Sequence, residues 1–282
     1  MKGIWNKSLK KNIQREDGMM VVEAVISFSI FIIVTLSIVY LINIFTVHNK
    51  IQFAINSAAH EIAGYSYLYE ALGVRGANKQ VQEDGDPYAS NVDNTVTQVA
   101  DSLNRIQGLY SDFGNATSSV QNMELNSASI TNTIDQFKQL KSSAGTTVQS
   151  VKTSAASVKN LFSDGNGLLA GIIFLAISDI DYGIKNIIGT AAASALTEKY
   201  LEGKESADEY LKGYGILDGY EGLDFSGSTI FCDSDMRVID IVVEYDIDLG
   251  FAKILIPEAK LHVIQRVSVP AWLNGDGQTV PQ

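Results

Sequence analysis

Apolar residues dominate one long stretch near the N-terminus. From Ala24 to Val47 the chain has 24 consecutive residues without a formal charge. An α-helix rises about 1.5 Å per residue, so this run would be roughly 36 Å long, more than the roughly 30 Å hydrocarbon core of a bilayer. The pattern therefore predicts a single transmembrane segment over 19–47, with the lipid bilayer as its partner.

The helix is predicted to continue beyond the span. Apolar residues recur at helical spacing from Ile51 to Tyr67, and no glycine pair or proline interrupts the pattern before Gly73 and Gly76. One helix from Met19 to Leu72, with 48–73 as its extramembrane part, is the simplest interpretation. Small residues on its second half would allow another helix to pack closely: Ala54, Ser57, Ala58 and Ala63.

The middle of the chain carries a second helical pattern. After a loop predicted over 77–90, apolar residues follow a 4–3 spacing over 92–113 and again over 130–162. This heptad-like spacing predicts a coiled-coil-like helical stalk or hairpin over 90–163. Amphipathic helices packed into a compact lobe would produce the same spacing, and this alternative stays open.

Helices are predicted to continue to about residue 213. The segment 168–178 (LLAGIIFLAIS) is apolar on all sides but too short to cross a bilayer, so we expect a buried helix there. A further helix over 179–202 and a short one over 205–212 complete a helical segment over 164–213.

Near the C-terminus the period of the pattern changes from helix to strand. Apolar and polar residues alternate from Val238 to Leu249 and again from Lys260 to Val269, which predicts two strands with one buried face each. With a third strand at Thr229–Cys232 they would form a small antiparallel sheet within 214–272, followed by a tail over 273–282. The whole pattern predicts an α+β fold.

Charge is distributed unevenly along the chain. The first 18 residues carry five basic and two acidic side chains, whereas the whole chain has 21 basic and 32 acidic ones. The positive-inside rule predicts that the basic leader, 1–18, stays in the cytoplasm and that the acidic C-terminal bulk lies outside the cell membrane. Because an acidic outer part would repel nucleic acid, no nucleic-acid partner is expected.

One acid interrupts the apolar stretch near its start. Glu23 lies five residues after Gly18, and the four residues between them are apolar. A carboxylate costs on the order of 3 kcal/mol at mid-bilayer and less near the interface, so its presence indicates a role. The spacing resembles the signature of type IV prepilins, in which a glycine precedes the cleaved bond and a glutamate follows five residues later.

This resemblance implies processing and assembly. A prepilin peptidase would cleave after Gly18, remove the basic leader and leave Met19 as the new N-terminus. In pilin-like fibres the Glu, here Glu23, meets the free amine of a neighbouring pilin-like subunit and sets the register between them. Ordinary secretory signals differ, because their apolar segment precedes the cut and is discarded.

The segment after the span adds a second resemblance. The Glu-bearing apolar helix runs into IQFAINSAAHEIAGYSYLY, and the region 15–70 as a whole is similar to the TadE-like minor pilins of tight-adherence pili. In that family the span typically runs into an Ala- and Arg-rich helix that ends in aromatic residues. Two features depart from the family: Ala24 stands where an aromatic residue usually follows the Glu, and the middle of the chain is much longer.

The sequence contains no catalytic constellation. His60-Glu61 begins like the zinc motif H-E-x-x-H, but Gly64 occupies the place of the second histidine, so we expect a polar helix face there. Scattered histidines and acidic pairs of the wrong spacing predict no metal site, no cofactor and no enzyme activity. The single cysteine, Cys232, excludes an intramolecular disulfide and is predicted to be a buried thiol in a strand.

Two functions remain open at this point. The first is a membrane-anchored minor pilin or pseudopilin that is cut at Gly18 and then assembles, or helps assembly, through its N-terminal helix. The second is an uncleaved single-pass membrane protein whose extracellular coiled-coil domain serves adhesion or acts as a scaffold, with Glu23 incidental.

Overall fold

The computed structural model combines one long apolar N-terminal helix with further helices and a small antiparallel sheet, and the α+β class is thereby confirmed. The structure describes residues 2–71, 126–143, 148–177, 182–203, 205–232, 238–250 and 259–272, with 2–18 described by their helical backbone. The loop predicted over 77–90, the first half of the heptad-like segment and the tail over 273–282 lie outside the described residues.

The elements follow one another in a simple order. The helices are α1 (Lys2–Ala71), α2 (Ser127–Ser143), α3 (Val148–Val158), α4 (Gly165–Ile177), α5 (Tyr182–Leu201) and α6 (Ala207–Gly213). Short 3₁₀ turns lie at Lys159–Phe162 and Gly219–Gly222. The strands are β1 (Thr229–Ile230), β2 (Val238–Asp248) and β3 (Lys260–Pro270).

The helix α1 is longer than the sequence pattern predicted. It ends at Ala71, close to the predicted Leu72, but it begins at Lys2 and not at Met19. The leader contains no proline, and a helix that is already nucleated extends with one new hydrogen bond for each residue it orders. The apolar helix therefore continues backwards through the leader without a break at Gly18.

The second half of α1 is the central element of the folded domain. From Val47 to Ser66 one face of α1 is buried against α4, α5 and the sheet. The small residues Ala54, Ala58 and Ala63 are fully buried, as close helix packing requires. The partner α5 is itself rich in alanine, and its Ala191 and Ala193 are also fully buried.

The helices of 127–162 pack inside the same domain. The Phe137 ring of α2 lies 5.5 Å from that of Phe162 and 5.7 Å from that of Phe174 in α4, centroid to centroid. All three rings are almost fully buried. Over these residues the chain adopts the compact-lobe alternative, while coiled-coil pairing elsewhere in 90–163 stays a prediction. The buried helix predicted over 168–178 is confirmed as far as Ile177, where α4 ends, with Leu168 to Leu175 in the core.

The sheet has the strand order β1-β2-β3, and both pairs are antiparallel. The alternation of β2 is confirmed, since every second residue from Ile239 to Ile247 is buried. In β3 the prediction holds for Val267 and Val269, but Leu261 on the same side is 39% exposed because it lies at the end of the sheet.

The placement of Cys232 needs a correction. The strand β1 ends at Ile230, and Phe231 turns the chain with a φ of 59°, so Cys232 follows the strand and is half-buried. A positive φ at a non-glycine residue is rare in strands and ends the pairing here. The prediction of a buried thiol within a strand was therefore wrong.

Candidate functional site

The first half of α1 presents an apolar surface that nothing in the described part of the chain covers. Between Met19 and Phe45 all large apolar side chains are exposed except Tyr40 and Ile44, which are half-buried. Exposing one such side chain to water costs about 1.5–3 kcal/mol relative to burying it, so a run of this length needs an apolar solvent. The segment Met19–Tyr67 is long and apolar enough to cross a membrane, judged by length and composition.

Four hydroxyl groups in this half of α1 are satisfied inside the helix. The hydroxyls of Ser29, Thr35, Ser37 and Thr46 each donate to the carbonyl oxygen four residues earlier, at 2.8 Å. A hydroxyl in hydrocarbon has no water to bond, so this internal bonding is the arrangement that a membrane-spanning helix requires. The absence of burial also separates this segment from the core helix of a soluble domain.

The three residues predicted to act in processing and assembly lie together on α1. Gly18 and Met19 are consecutive residues inside the helix, and the Met19 side chain is 75% exposed. Glu23 is also exposed, and it follows Met19 by four residues. Residues four apart lie on the same face of a helix, with Cβ atoms about 5–6 Å from each other. Cleavage after Gly18 would therefore create a main-chain amine about one helical turn before the Glu23 carboxylate.

The folded domain meets α1 at Tyr40. A cavity of about 300 Å³ separates Tyr40 and Ile44 from the end of α6 and the end of β2, and its walls include Lys212 and Asp248. A Cβ atom built on Gly250 would lie 3.6 Å from the Tyr40 hydroxyl oxygen. This junction joins the uncovered half of α1 to the domain with no linker between them, because α1 runs through both. Sequence reasoning missed it, because nothing in the local pattern marks Tyr40 as a boundary.

Further hydrogen bonds join the domain to α1 between this junction and the C-terminal end of the helix. The buried Gln265 side chain of β3 donates to the His48 carbonyl oxygen at 3.0 Å and to the His48 ring Nδ1. Further along, Glu61 accepts hydrogen bonds from Lys199 and Tyr200 of α5. The prediction of a polar helix face at His60-Glu61 holds for the exposed His60, whereas the Glu61 side chain is only 16% exposed.

A second cavity, of about 400 Å³, lies between α3, α5 and the 3₁₀ turn at Gly219–Gly222. Both lysines in its wall are paired: Lys152 with Asp224 at 2.7 Å, and Lys159 with Glu198 at 2.6 Å while it also lies over the Tyr220 ring. Burial raises the pKa of Asp224, but the hydrogen bonds from Lys152 and Ser226 outweigh it and leave that pKa lowered. These groups form structural pairs rather than a nucleophile beside a base.

No metal centre emerges within the described ranges. There, no group of three or more His, Cys, Asp or Glu side chains is placed to hold a metal ion. His262 lies on the outer face of the sheet and pairs with Asp246 at 2.8 Å. The other ring nitrogen of His262 lies 3.9 Å from a Glu244 carboxylate oxygen, and these contacts join β2 to β3.

The comparisons with known proteins do not identify the chain. No family model, curated protein or solved structure matches it. Its function is therefore argued from the residues of α1 and from the way in which the domain is attached to them.

Proposed function

We propose that the protein is a membrane-anchored minor pilin or pseudopilin that assembles into, or promotes assembly of, a tight-adherence or type IV-like pilus after cleavage at Gly18. One observation carries the proposal. The uncovered apolar half of α1 starts directly after Gly18, has Glu23 one turn inside it and passes without a linker into the core of the domain. A subunit built on one such helix can be extracted from a bilayer and packed in a fibre as a single rigid unit.

The charge distribution supports an orientation. The leader, 1–18, is basic and the rest of the chain is acidic. In a single-pass protein this asymmetry favours a cytoplasmic N-terminus and an extracytoplasmic domain. A prepilin peptidase is then the expected processing partner, and other pilin-like subunits are the partners that pack against α1.

The pairing of Met19 and Glu23 is the proposed assembly contact. In a medium of low dielectric constant the attraction between an ammonium and a carboxylate is strong, although desolvation offsets much of it. After cleavage, Glu23 would pair with the amine of a neighbouring subunit, whose helix is displaced along the fibre axis. An unpaired Glu23 would be costly in the bilayer, so a second subunit lowers its free energy.

Intact-mass measurement after co-expression with a prepilin peptidase tests the processing step. The wild-type chain should shorten to begin at Met19. The variant Gly18→Phe should stay full-length, because a bulky side chain blocks the position before the cut. The variant Gly64→Ala is the matched control and should be cut like the wild type, since nothing lies within 4 Å of a Cβ built at that position. A mature chain that keeps residues 1–18 in its native envelope would contradict the proposal.

Incorporation into fibres tests the assembly step separately. Glu23→Val should be cut normally but should be missing from sheared pili. The control Ser27→Val, one turn further along the same helix face, should be both cut and incorporated. Normal incorporation of Glu23→Val would remove the register role and leave the processing proposal standing.

The alternative function is an uncleaved membrane protein with an extracellular adhesion or scaffold domain. One observation favours it, namely that α1 continues as a helix through Gly18. Proteolysis is favoured at exposed, non-helical backbone, so this bond must unwind before it is cut. A coiled-coil stalk within the undescribed part of 90–163 would belong to this alternative. The mass measurement above separates the two functions.

A further inference from the structure

We infer that the base of the folded domain rests in the headgroup layer of the bilayer that holds α1, with Tyr40 at the outer edge of the hydrocarbon. The base is defined as Tyr40, Lys212–Gly215, Leu217, Asp248 and Leu261. The inference rests on the proposed membrane insertion of α1 and adds a second contact between the protein and the lipid.

The exposure of the side chains changes along α1 at Tyr40. Side chains from Met19 to Val39 are exposed on every face except at the half-buried Ser37, whereas Tyr40, Ile44 and Val47 are progressively covered by the domain. A segment from Met19 to Val39 is about 32 Å long, which matches the roughly 30 Å hydrocarbon core. The domain thus begins where the hydrocarbon ends.

Charged side chains lie at the junction between α1 and the domain. The cavity between Tyr40 and the domain has Lys212 and Asp248 in its walls. Charged side chains are strongly disfavoured in hydrocarbon, so the span cannot extend to Val47 as the sequence pattern predicted without drawing these groups into the bilayer. A boundary at Tyr40 keeps both of them among the polar headgroups. It also places a tyrosine where tyrosine is enriched in membrane proteins.

Two partly exposed leucines lie on the surface around the junction. Leu261 lies opposite Ile247, which itself lines the cavity, and Leu217 donates its backbone N–H to Asp246 on the other side of β2. Each of these two leucines is 39% exposed. They place apolar surface on both sides of the end of the sheet that faces the bilayer. Lys212 pairs with Asp208 at 2.7 Å. A headgroup layer, with polar groups above acyl chains, suits this mixture of leucine, tyrosine and paired lysine.

The continuity of α1 favours the bilayer, rather than a protein partner, as the surface that the base contacts. The helix α1 carries the base directly onto the span, and no flexible linker would allow the domain to stand away from the lipid. With Tyr40 at the outer edge, Glu23 lies about 26 Å below it along the helix, just inside the opposite edge of the hydrocarbon. The same placement therefore accounts for the position of the one charged residue in the span.

Fluorescence quenching in vesicles tests the inference. The full chain, with Cys232→Ser as background, is reconstituted into phosphatidylcholine vesicles that contain a nitroxide attached to the lipid headgroup. A bimane label at Leu261→Cys should lose most of its fluorescence, and so should one at Leu217→Cys. The matched control Ser268→Cys is exposed on the same strand, about 23 Å further along it, and should keep its fluorescence.

A label at Phe31→Cys, read with a nitroxide on the acyl chain, reports insertion of α1. Quenching at Phe31 together with equal fluorescence at Leu261 and Ser268 would overturn the inference and leave the membrane anchor intact. No quenching at Phe31 would overturn the anchor itself, and the inference with it. Leu217 and Leu261 lie on opposite sides of β2. Quenching of the labels at both positions would therefore not be a local effect of one substitution.

Discussion

The Glu61 carboxylate on α1 accepts a hydrogen bond of 2.7 Å from the Tyr200 hydroxyl on α5. Lys199, the residue before Tyr200, donates to the same carboxylate at 2.8 Å and 3.0 Å. The partners are 138 and 139 residues away from Glu61 in the chain, so these bonds join two helices that are distant in sequence. The long N-terminal helix is thereby tied to the domain 21 residues beyond Tyr40, roughly 31 Å further along its axis.

Replacing Glu61 by glutamine should weaken this tie. The variant loses an ion pair and a charge-assisted hydrogen bond, so the free energy of unfolding should fall by about 1 kcal/mol, a modest loss because Lys199 is largely exposed to solvent. Urea unfolding of the full chain in detergent micelles, followed by circular dichroism, measures the change. His60→Gln alters the neighbouring exposed residue and should leave the free energy unchanged; an equal loss in both variants would contradict the role of Glu61.

The same pair predicts a response to alkaline pH. Burial, the hydrogen bond to Glu61 and the Glu61 charge raise the pKa of Tyr200 from 10.0 to about 12. A tyrosine whose pKa is raised by folding contributes stability that is present below pH 10 and is lost as the pH rises towards 12. In Glu61→Gln the Tyr200 pKa should therefore fall, as measured by NMR titration of tyrosine ring carbons. An unchanged Tyr200 pKa would show that burial alone raises it.

Two helix glycines should respond to alanine in opposite directions. A Cβ on Gly189 in α5 would lie 2.7 Å from the Thr229 Cα of β1, so Gly189→Ala forces α5 and the sheet apart and should cost about 1–3 kcal/mol. Gly64 in α1 has open space within 4 Å of the position that a Cβ would take, so Gly64→Ala should stabilise the chain by about 0.5–1 kcal/mol. Thermal unfolding midpoints of the two variants should move apart, and a shift of the same sign in both would contradict this packing.

The aromatic cluster tests whether 127–162 belongs to the core. Phe137 is fully buried between Phe162 and Phe174, so Phe137→Ala should lower the free energy of unfolding by about 3–5 kcal/mol. Phe53 on α1 is 59% exposed, so Phe53→Ala should change the free energy of unfolding by less than about 0.5 kcal/mol. If these helices formed a separate stalk, Phe137→Ala would leave the unfolding of the sheet, monitored by Trp272 fluorescence, unaltered.

Acid should destabilise the hairpin of β2 and β3 through Asp246. Hydrogen bonds from Lys260 and His262 lower the pKa of Asp246 below its ordinary value of 3.8. A carboxylate whose pKa is lowered by folding contributes stability that is present above pH 3.8 and is lost as the pH falls through the folded-state value. The unfolding midpoint of the wild type should therefore drop more steeply below pH 3.8 than that of Asp246→Asn.

The partners of Asp246 offer an internal control for this prediction. Lys260→Gln removes the largest cause of the lowered pKa, so its acid sensitivity should resemble that of Asp246→Asn. A Lys260→Gln variant with the full acid sensitivity of the wild type would assign the effect to another carboxylate.

The sequence by itself determined the features that depend on neighbours along the chain. The apolar run, the helical spacing of α1 beyond it, the buried segment 168–178 and the period-two alternation of β2 all follow from local patterns, and each is present in the structure. The placement of Met19 and Glu23 is likewise a local feature, because residues four apart in a helix are neighbours whatever the rest of the chain does.

Only the tertiary structure decided where α1 changes from an uncovered helix to a core helix. The residues on either side of Tyr40 are equally apolar, and the difference lies in Lys212, Asp248 and Gly250, which approach from distant parts of the chain. The hydrogen bond between Glu61 and Tyr200 and the packing of Phe137 also join segments that are far apart in the chain. Such contacts depend on which faces meet after folding, and periodicity along one segment carries no information about its partner.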